Sequence, residues 1–172
     1  YVLPTGGVKT RVAVAIVELA ITRAPVLFLA HRKELIDQFV RTLAEAGILD
    51  VRIIRAGDSG PADARVIAAS VPTLTSFTDL PEAGLVIVDE AHHAKAATWS
   101  GILGRYPQAR ILGLSATPQR GDGRSRGDVF QAVVVGATVR ELTELGHLVR
   151  CRTWSPAEQL DAGKLAISPL EA

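Results

Sequence analysis

Methionine is absent from this sequence, and cysteine occurs once, at Cys151. One cysteine excludes an intramolecular disulfide and a cysteine-based zinc cluster. It fits a reducing, cytoplasmic compartment. With no methionine and Tyr1 in first place, the chain reads as a fragment or a processed product. No charged start followed by an apolar stretch opens it, so a secretory signal is not expected. No apolar run approaches the roughly eighteen residues of a membrane span, so no membrane partner is expected. Lysine is scarce, 4 against 15 arginines, and the net charge is only +1. That excludes a uniformly basic polyanion binder, so any nucleic-acid site has to be a local patch. What is present is globular: 172 residues, 48% hydrophobic and 22% charged. That is enough for one domain, or one domain with a tail.

Short apolar runs alternate with longer helical stretches. Tyr1-Val2-Leu3 reads as the end of a strand, and Pro4 to Gly7 as a turn. Lys9 to Ile21 suits a helix that Pro25 stops. Val26 to Ala30 is a continuous apolar run of strand length. His31 to Ala46 carries Leu35, Ile36, Phe39, Val40 and Leu43 at helical spacing, and Gly47 ends it. Val51 to Ile54, Arg65 to Ala69, Leu85 to Val88 and Ile111 to Leu114 read as further strands. Asp58 to Asp63 reads as a loop, Gly121 to Gly127 as a mobile one, and Val139 to Gly146 as a short helix. Strands apolar on both faces, alternating with helices, imply a mostly parallel sheet between helical layers. Ligands of such sheets bind beyond the carboxyl ends of the strands. Thr5 to Thr10, His31-Arg32, Ser70, Asp89-Glu90 and Ser115 to Thr117 each follow a strand-like run, so five segments are expected to converge on one edge.

Two segments carry chemistry of their own. Pro4-Thr5-Gly6-Gly7-Val8-Lys9-Thr10 has the parts of a phosphate-binding loop. Glycines let backbone amides close around phosphate oxygens, a lysine adds charge, and the next hydroxyl can ligate Mg²⁺. A plain glycine turn before a helix is the alternative. Asp89-Glu90 ends a buried strand, where two acids are costly unless a cation or hydrogen bonds answer them. Mg²⁺ near Asp89 would do so and leave Glu90 to orient an attacking water. An acidic turn between strand and helix is the alternative there.

Together with three further segments these residues resemble the first RecA-like lobe of a superfamily 2 DEAD/DEAH-box helicase. The nearest form is that of the phage-like, excision-repair-like and type III restriction subunit group. Leu3 to Thr10 resembles motif I, Ala30-His31-Arg32-Lys33-Glu34-Leu35 motif Ia, and Ala69 to Leu74 motif Ic. Asp89-Glu90-Ala91-His92 is similar to motif II, the DEAH box, and Ser115-Ala116-Thr117-Pro118 to motif III. Asp128 to Val149 looks like the closing segment of such a lobe.

The resemblance implies a three-layer P-loop NTPase fold over residues 1–152, with 153–172 as a linker or tail toward a second lobe. It implies ATP and Mg²⁺ as cofactors and nucleic acid as partner, DNA more than RNA. Thr5, Gly6, Gly7, Val8, Lys9 and Thr10 would hold the triphosphate, and Thr10 and Asp89 the Mg²⁺, the latter through water. Glu90 would activate water, and His92 would link the nucleotide and nucleic-acid sites. Ser115 and Thr117 would couple the ATP state to movement between lobes. Arg32, Ser70, Thr73 and Arg120 would face the nucleic-acid strand.

Two departures from the family pattern matter. Val8 stands where the family has glycine, before the lysine. Backbone strain there would cost on the order of 1–3 kcal/mol. The second lobe's arginines also have no counterpart here, and losing such a group can cost roughly 10³–10⁵ in rate. This chain alone is therefore expected to hydrolyse ATP slowly or not at all. A catalytically silent nucleic-acid or protein-binding module, with Val8 disabling the loop, is the alternative function. Another P-loop enzyme, such as a nucleotide kinase, is a third, against which the DEAH box and the Ser-Ala-Thr element argue. Trp99 and Trp154 suit packing better than base stacking, Cys151 reads as an inert small hydrophobe, and His31 and His147 as surface residues.

Overall fold

The computed structural model describes residues 1–4, 9–55, 58–91, 97–116 and 130–150. The elements run α1 (Lys9–Ala20), β1 (Val26–Ala30), α2 (Lys33–Glu45), β2 (Val51–Ile54), β3 (Asp58–Ser59), β4 (Val66–Ser70), α3 (Val71–Leu74), β5 (Leu85–Val88), α4 (Ala97–Leu103), β6 (Arg110–Gly113) and α5 (Val139–Glu144). The sheet order is β3-β2-β4-β1-β5-β6. Five of the strands are parallel, and only β3 is antiparallel, on β2. Past β6, Val2 bridges in parallel to Ser115 on one side and Val135 on the other. Among the described residues no helix is long and apolar enough to cross a membrane.

The continuous apolar runs explain the layers. Every residue of β1 is buried, and its side chains alternate between two cores. Val26, Phe28 and Ala30 face α1 and α2, where Phe28 stacks on Phe39 with centroids 3.8 Å apart. Leu27 and Leu29 face the opposite core, with Val71 and Leu74 of α3 and Trp99 and Ile102 of α4. Complete burial of such side chains contributes roughly 1.5–3 kcal/mol each. Trp99 is a packing residue, 4% exposed, as expected. His31 and His147 are exposed, also as expected.

Helix α2 ends where Gly47 predicts it. Gly47 takes φ 84°, its amide donates to Ala44, and the Ile48 amide donates to Leu43. This left-handed stop satisfies two terminal carbonyls. Helix α5 ends in the same way at Gly146, and its other end closes with reciprocal bonds between Thr138 and Glu141.

Three differences from the sequence reading have local causes. Asp58–Ser59, expected as loop, is a short edge strand, because the chain doubles back after β2 and pairs Ile53 with Ser59 and Ile54 with Asp58. Helix α3 was not anticipated: it is four residues long and has a proline in its first turn, where no intrahelical donor is needed. Helix α4, also unanticipated, buries only Trp99 and Ile102, too few positions to display a period. The Gly121–Gly127 loop, Trp154, Cys151 and the 153–172 tail lie outside the described residues.

Candidate functional site

Parallel register puts the ends of the strands side by side. Ala30 pairs with Ser70, Leu29 with Val88, and Val88 with Gly113. The residues that follow continue these contacts. The Asp89 amide donates to Leu29 at 2.9 Å, Leu114 to Val88 at 2.8 Å, and Ala91 to Leu114 at 2.8 Å. Ser115 donates to Tyr1 at 3.1 Å, and Leu3 donates to Ser115 at 3.0 Å. Leu3, Arg32, Ser70, Asp89 and Ser115 therefore stand along one carboxyl edge. Arg32, Ser70, Asp89 and Ser115 belong to segments that the alternating pattern places there, and of the expected Thr5 to Thr10 segment only Lys9 and Thr10 are among the described residues. From β4 outward the edge runs Ser70, Arg32, Asp89, Ser115, Leu3.

Asp89 leaves β5 with only 9% of its surface exposed. Burial pushes its carboxyl above the ordinary aspartate range. The Glu90 amide, donating to Asp89 Oδ1 at 3.0 Å, opposes that rise. The like charge of Glu90 adds to it, and the Lys9 ammonium weakly opposes it. Glu90 takes φ 50°, the only non-glycine residue at positive φ among those described. A side chain held there costs on the order of 1–3 kcal/mol, and such residues cluster at functional sites. The turn directs the Glu90 carboxylate toward α1, where Lys9 Nζ lies 3.9 Å from its Oε1. Lys9 opens α1, so the positive end of the helix dipole adds to its charge.

Ser115 is buried, 1% exposed, at the join between the β6 extension and Leu3. Thr10 is half-buried in the first turn of α1. Arg32 is exposed at the start of α2, and Ser70 and Thr73 are half-buried around the start of α3. The structure thus brings Lys9, Asp89 and Glu90 together, with Thr10 following Lys9 in α1, and sets Arg32, Ser70 and Thr73 on the neighbouring stretch of the edge. Thr5, Gly6, Gly7, Val8, His92, Thr117 and Arg120 lie outside the described residues. Among the described residues no group of three His, Cys, Asp or Glu side chains could hold a metal by itself.

Two features escape the sequence reading. One is the left-handed turn at Glu90, for which glutamate gives no signal. The other is Gly113, where a Cβ would stand 2.7 Å from Ala91 Cβ and 2.5 Å from Phe130 Cζ. A glycine inside the apolar run Ile111-Leu112-Gly113-Leu114 was the available sign, since glycine in a strand marks close approach.

A parallel sheet with a lysine-headed helix and an acid pair converging on its carboxyl edge defines a RecA-like α/β lobe of the helicase type. More narrowly, the chain belongs to the family described as type III restriction enzyme, res subunit, whose pattern matches residues 1–120. It is 33% identical over 165 residues to a 51.5 kDa protein of a Lactococcus phage, covering 95% of this chain and 34% of that one. It is 32% identical over 127 residues to the DNA 3'-5' translocase XPB2 of Sulfurisphaera tokodaii, covering 72% of this chain and 28% of that one. The helicase domain of Hef from Pyrococcus furiosus superposes with a TM-score of 0.55 at 26% identity, over 84% of this chain and 31% of that structure. The chain spans at most 34% of the length of these relatives.

Proposed function

We propose that this chain is the nucleotide-binding lobe of an ATP-dependent helicase or translocase acting on nucleic acid, DNA in preference to RNA. The observation that carries the reading is the meeting of Lys9 and Glu90 at 3.9 Å beside the buried Asp89 carboxyl. A buried carboxyl with a raised proton affinity is a poor structural element and a good partner for a divalent cation. The donor set fits Mg²⁺·ATP: one ammonium and a helix N-terminus for phosphate oxygens, one carboxylate and one hydroxyl for the cation.

When bound, Mg²⁺·ATP supplies the phosphoanhydride whose cleavage drives the cycle. Lys9 would hold terminal phosphate oxygens, and Thr10 and Asp89 would hold the cation, Asp89 through water. Glu90, released from Lys9, would accept a proton from the hydrolytic water. Thr5, Gly6, Gly7 and Val8 would wrap the phosphates by the sequence resemblance, and His92, Ser115 and Thr117 would carry the nucleotide state toward the strand-binding side. Arg32, Ser70, Thr73 and Arg120 would contact the nucleic-acid backbone, which positions a strand without reading its sequence. The lobe would cover 1–152, with 153–172 leading to a second lobe whose arginines complete the site. Hydrolysis by this chain alone would accordingly be slow or absent. A cytoplasmic setting goes with this reading, supported by the single cysteine.

Val8 supports a second reading, a silent binding module whose phosphate loop is disabled. Calorimetric titration with the β,γ-imido analogue of ATP and Mg²⁺, on this chain and on Val8→Gly, separates the two. The nucleotide-binding reading expects both forms to bind. Binding by the glycine form alone would move the weight to the silent module.

A further inference from the structure

We propose that Gly113 is a positioning residue for the acid pair, its missing Cβ being the space in which Ala91 and Phe130 pack to fix the Asp89–Glu90 turn. The inference rests on the reading of Asp89 as the partner of Mg²⁺. Gly113 is the last residue of β6 and pairs with Val88, the residue before Asp89. A Cβ on Gly113 would stand 2.7 Å from Ala91 Cβ, and 2.5 and 2.8 Å from two rim atoms of the Phe130 ring. These distances are too short to coexist with a side chain, so something would have to shift.

The two neighbours can shift at different cost. Phe130 is half-buried and meets Gly113 with the far end of its side chain, so its ring can tilt. Ala91 has only its Cβ, fixed to the backbone, and its amide is tied to Leu114 at 2.8 Å. Crowding at Gly113 therefore passes into the Ala91 backbone and from there into Glu90, whose φ of 50° leaves it little freedom to adapt. Asp89 moves with it, because the Glu90 amide donates to its carboxylate. Lys9, on a separate helix, does not. The two halves of the site would thus separate: the acid side is displaced and the lysine side is kept.

That asymmetry supplies the test. The β,γ-imido analogue of ATP is titrated into the chain with Mg²⁺ and again in EDTA, and the ratio of the two affinities measures the cation-dependent gain. Gly113→Ala should lose roughly tenfold of that gain, about 1.4 kcal/mol of cation-dependent binding. Its affinity in EDTA should match that of the unchanged chain. Gly113→Ala/Ala91→Gly, which removes the Cβ that Ala91 presents, should recover the gain. Three results overturn the proposal: an unchanged gain in Gly113→Ala, an equal loss in both media, or no recovery in the double variant. If Gly113→Ala does not fold, the double variant decides: folded with the gain intact supports the proposal, and unfolded or folded without the gain overturns it. If the unchanged chain is silent and Val8→Gly binds, the same variants are read in the Val8→Gly background. Silence of both in both media overturns the nucleotide reading itself, and this proposal with it.

Discussion

The two ends of the sheet treat their polar groups in opposite ways. At the amino end the strands begin among loops that satisfy one another. Gly84 donates to Pro25 at 2.9 Å, Arg110 to Gly84 at 3.0 Å, and Val26 to Arg65 at 2.8 Å. The Tyr106 hydroxyl donates to the Pro81 carbonyl at 2.9 Å, and the Arg105 guanidinium donates to the carbonyls of Phe77 and Thr78. The side chains there fasten the 77–81 loop to the end of α4. At the carboxyl end a carboxylate is buried against its own electrostatic preference, a glutamate sits at φ 50°, and a lysine and glutamate face each other across 3.9 Å. One end uses polar groups to hold loops, and the other carries strain and desolvated charge. Strain and buried charge persist where a ligand will use them, which is why the carboxyl end is the one to read for chemistry.

Three substitutions sharpen the contrast. The largest effect is expected for Lys9→Ala, which should weaken binding of the Mg²⁺-bound ATP analogue roughly a hundredfold, about 2.8 kcal/mol. The urea midpoint of unfolding should barely move, since the Lys9–Glu90 pair is long and partly exposed. Asp89→Asn should act in two directions. Its folded-state proton affinity is raised, so the folded chain holds that proton where the unfolded chain has released it. Stability therefore falls as pH rises from the ordinary aspartate value of 3.8 through the raised one, and the deficit persists above it. Asparagine removes the deficit, so at neutral pH the nucleotide-free chain should become more stable while losing its response to Mg²⁺. A loss of stability in Asp89→Asn would break the comparison.

The smallest effect belongs to the amino end. Tyr106→Phe should cost about 1 kcal/mol by leaving the Pro81 carbonyl without its donor, with nucleotide affinity unchanged. Burial pushes the Tyr106 phenol up from 10.0 to about 12, against a smaller opposing effect of Arg105. Between those values the unfolded chain gives up the phenolic proton and the folded chain keeps it. Stability should therefore fall with rising pH across that window, and Tyr106→Phe should flatten the fall in a pH series of urea denaturations.

The parallel framework was legible because its signals are local and repeated. Val26 to Ala30, Val51 to Ile54 and Leu85 to Val88 occupy the strands that their apolar runs predict. Gly47 ends α2 by the left-handed stop that glycine permits. The carboxyl edge followed from reading what comes after each run. The elements that escaped are those stabilised from outside. Asp58–Ser59 is a strand only because Ile53 and Ile54 lie opposite, and α3 and α4 are too short to show a period. The conformation of Glu90 escaped for a related reason. Nothing in glutamate favours positive φ, and the turn is held by tertiary bonds from Asp89 to Leu29 and from Ala91 to Leu114. The site's residue types could be read in one dimension, whereas its geometry is set by neighbours distant in sequence.

Amide hydrogen exchange, followed residue by residue with and without the Mg²⁺-bound ATP analogue, tests the central contrast most directly. Exchange should slow at Glu90, Ala91 and the first turn of α1, with no change from Phe77 to Gly84 or at Tyr106. Slowing confined to the amino end, or no slowing anywhere in the chain and in Val8→Gly, would contradict it.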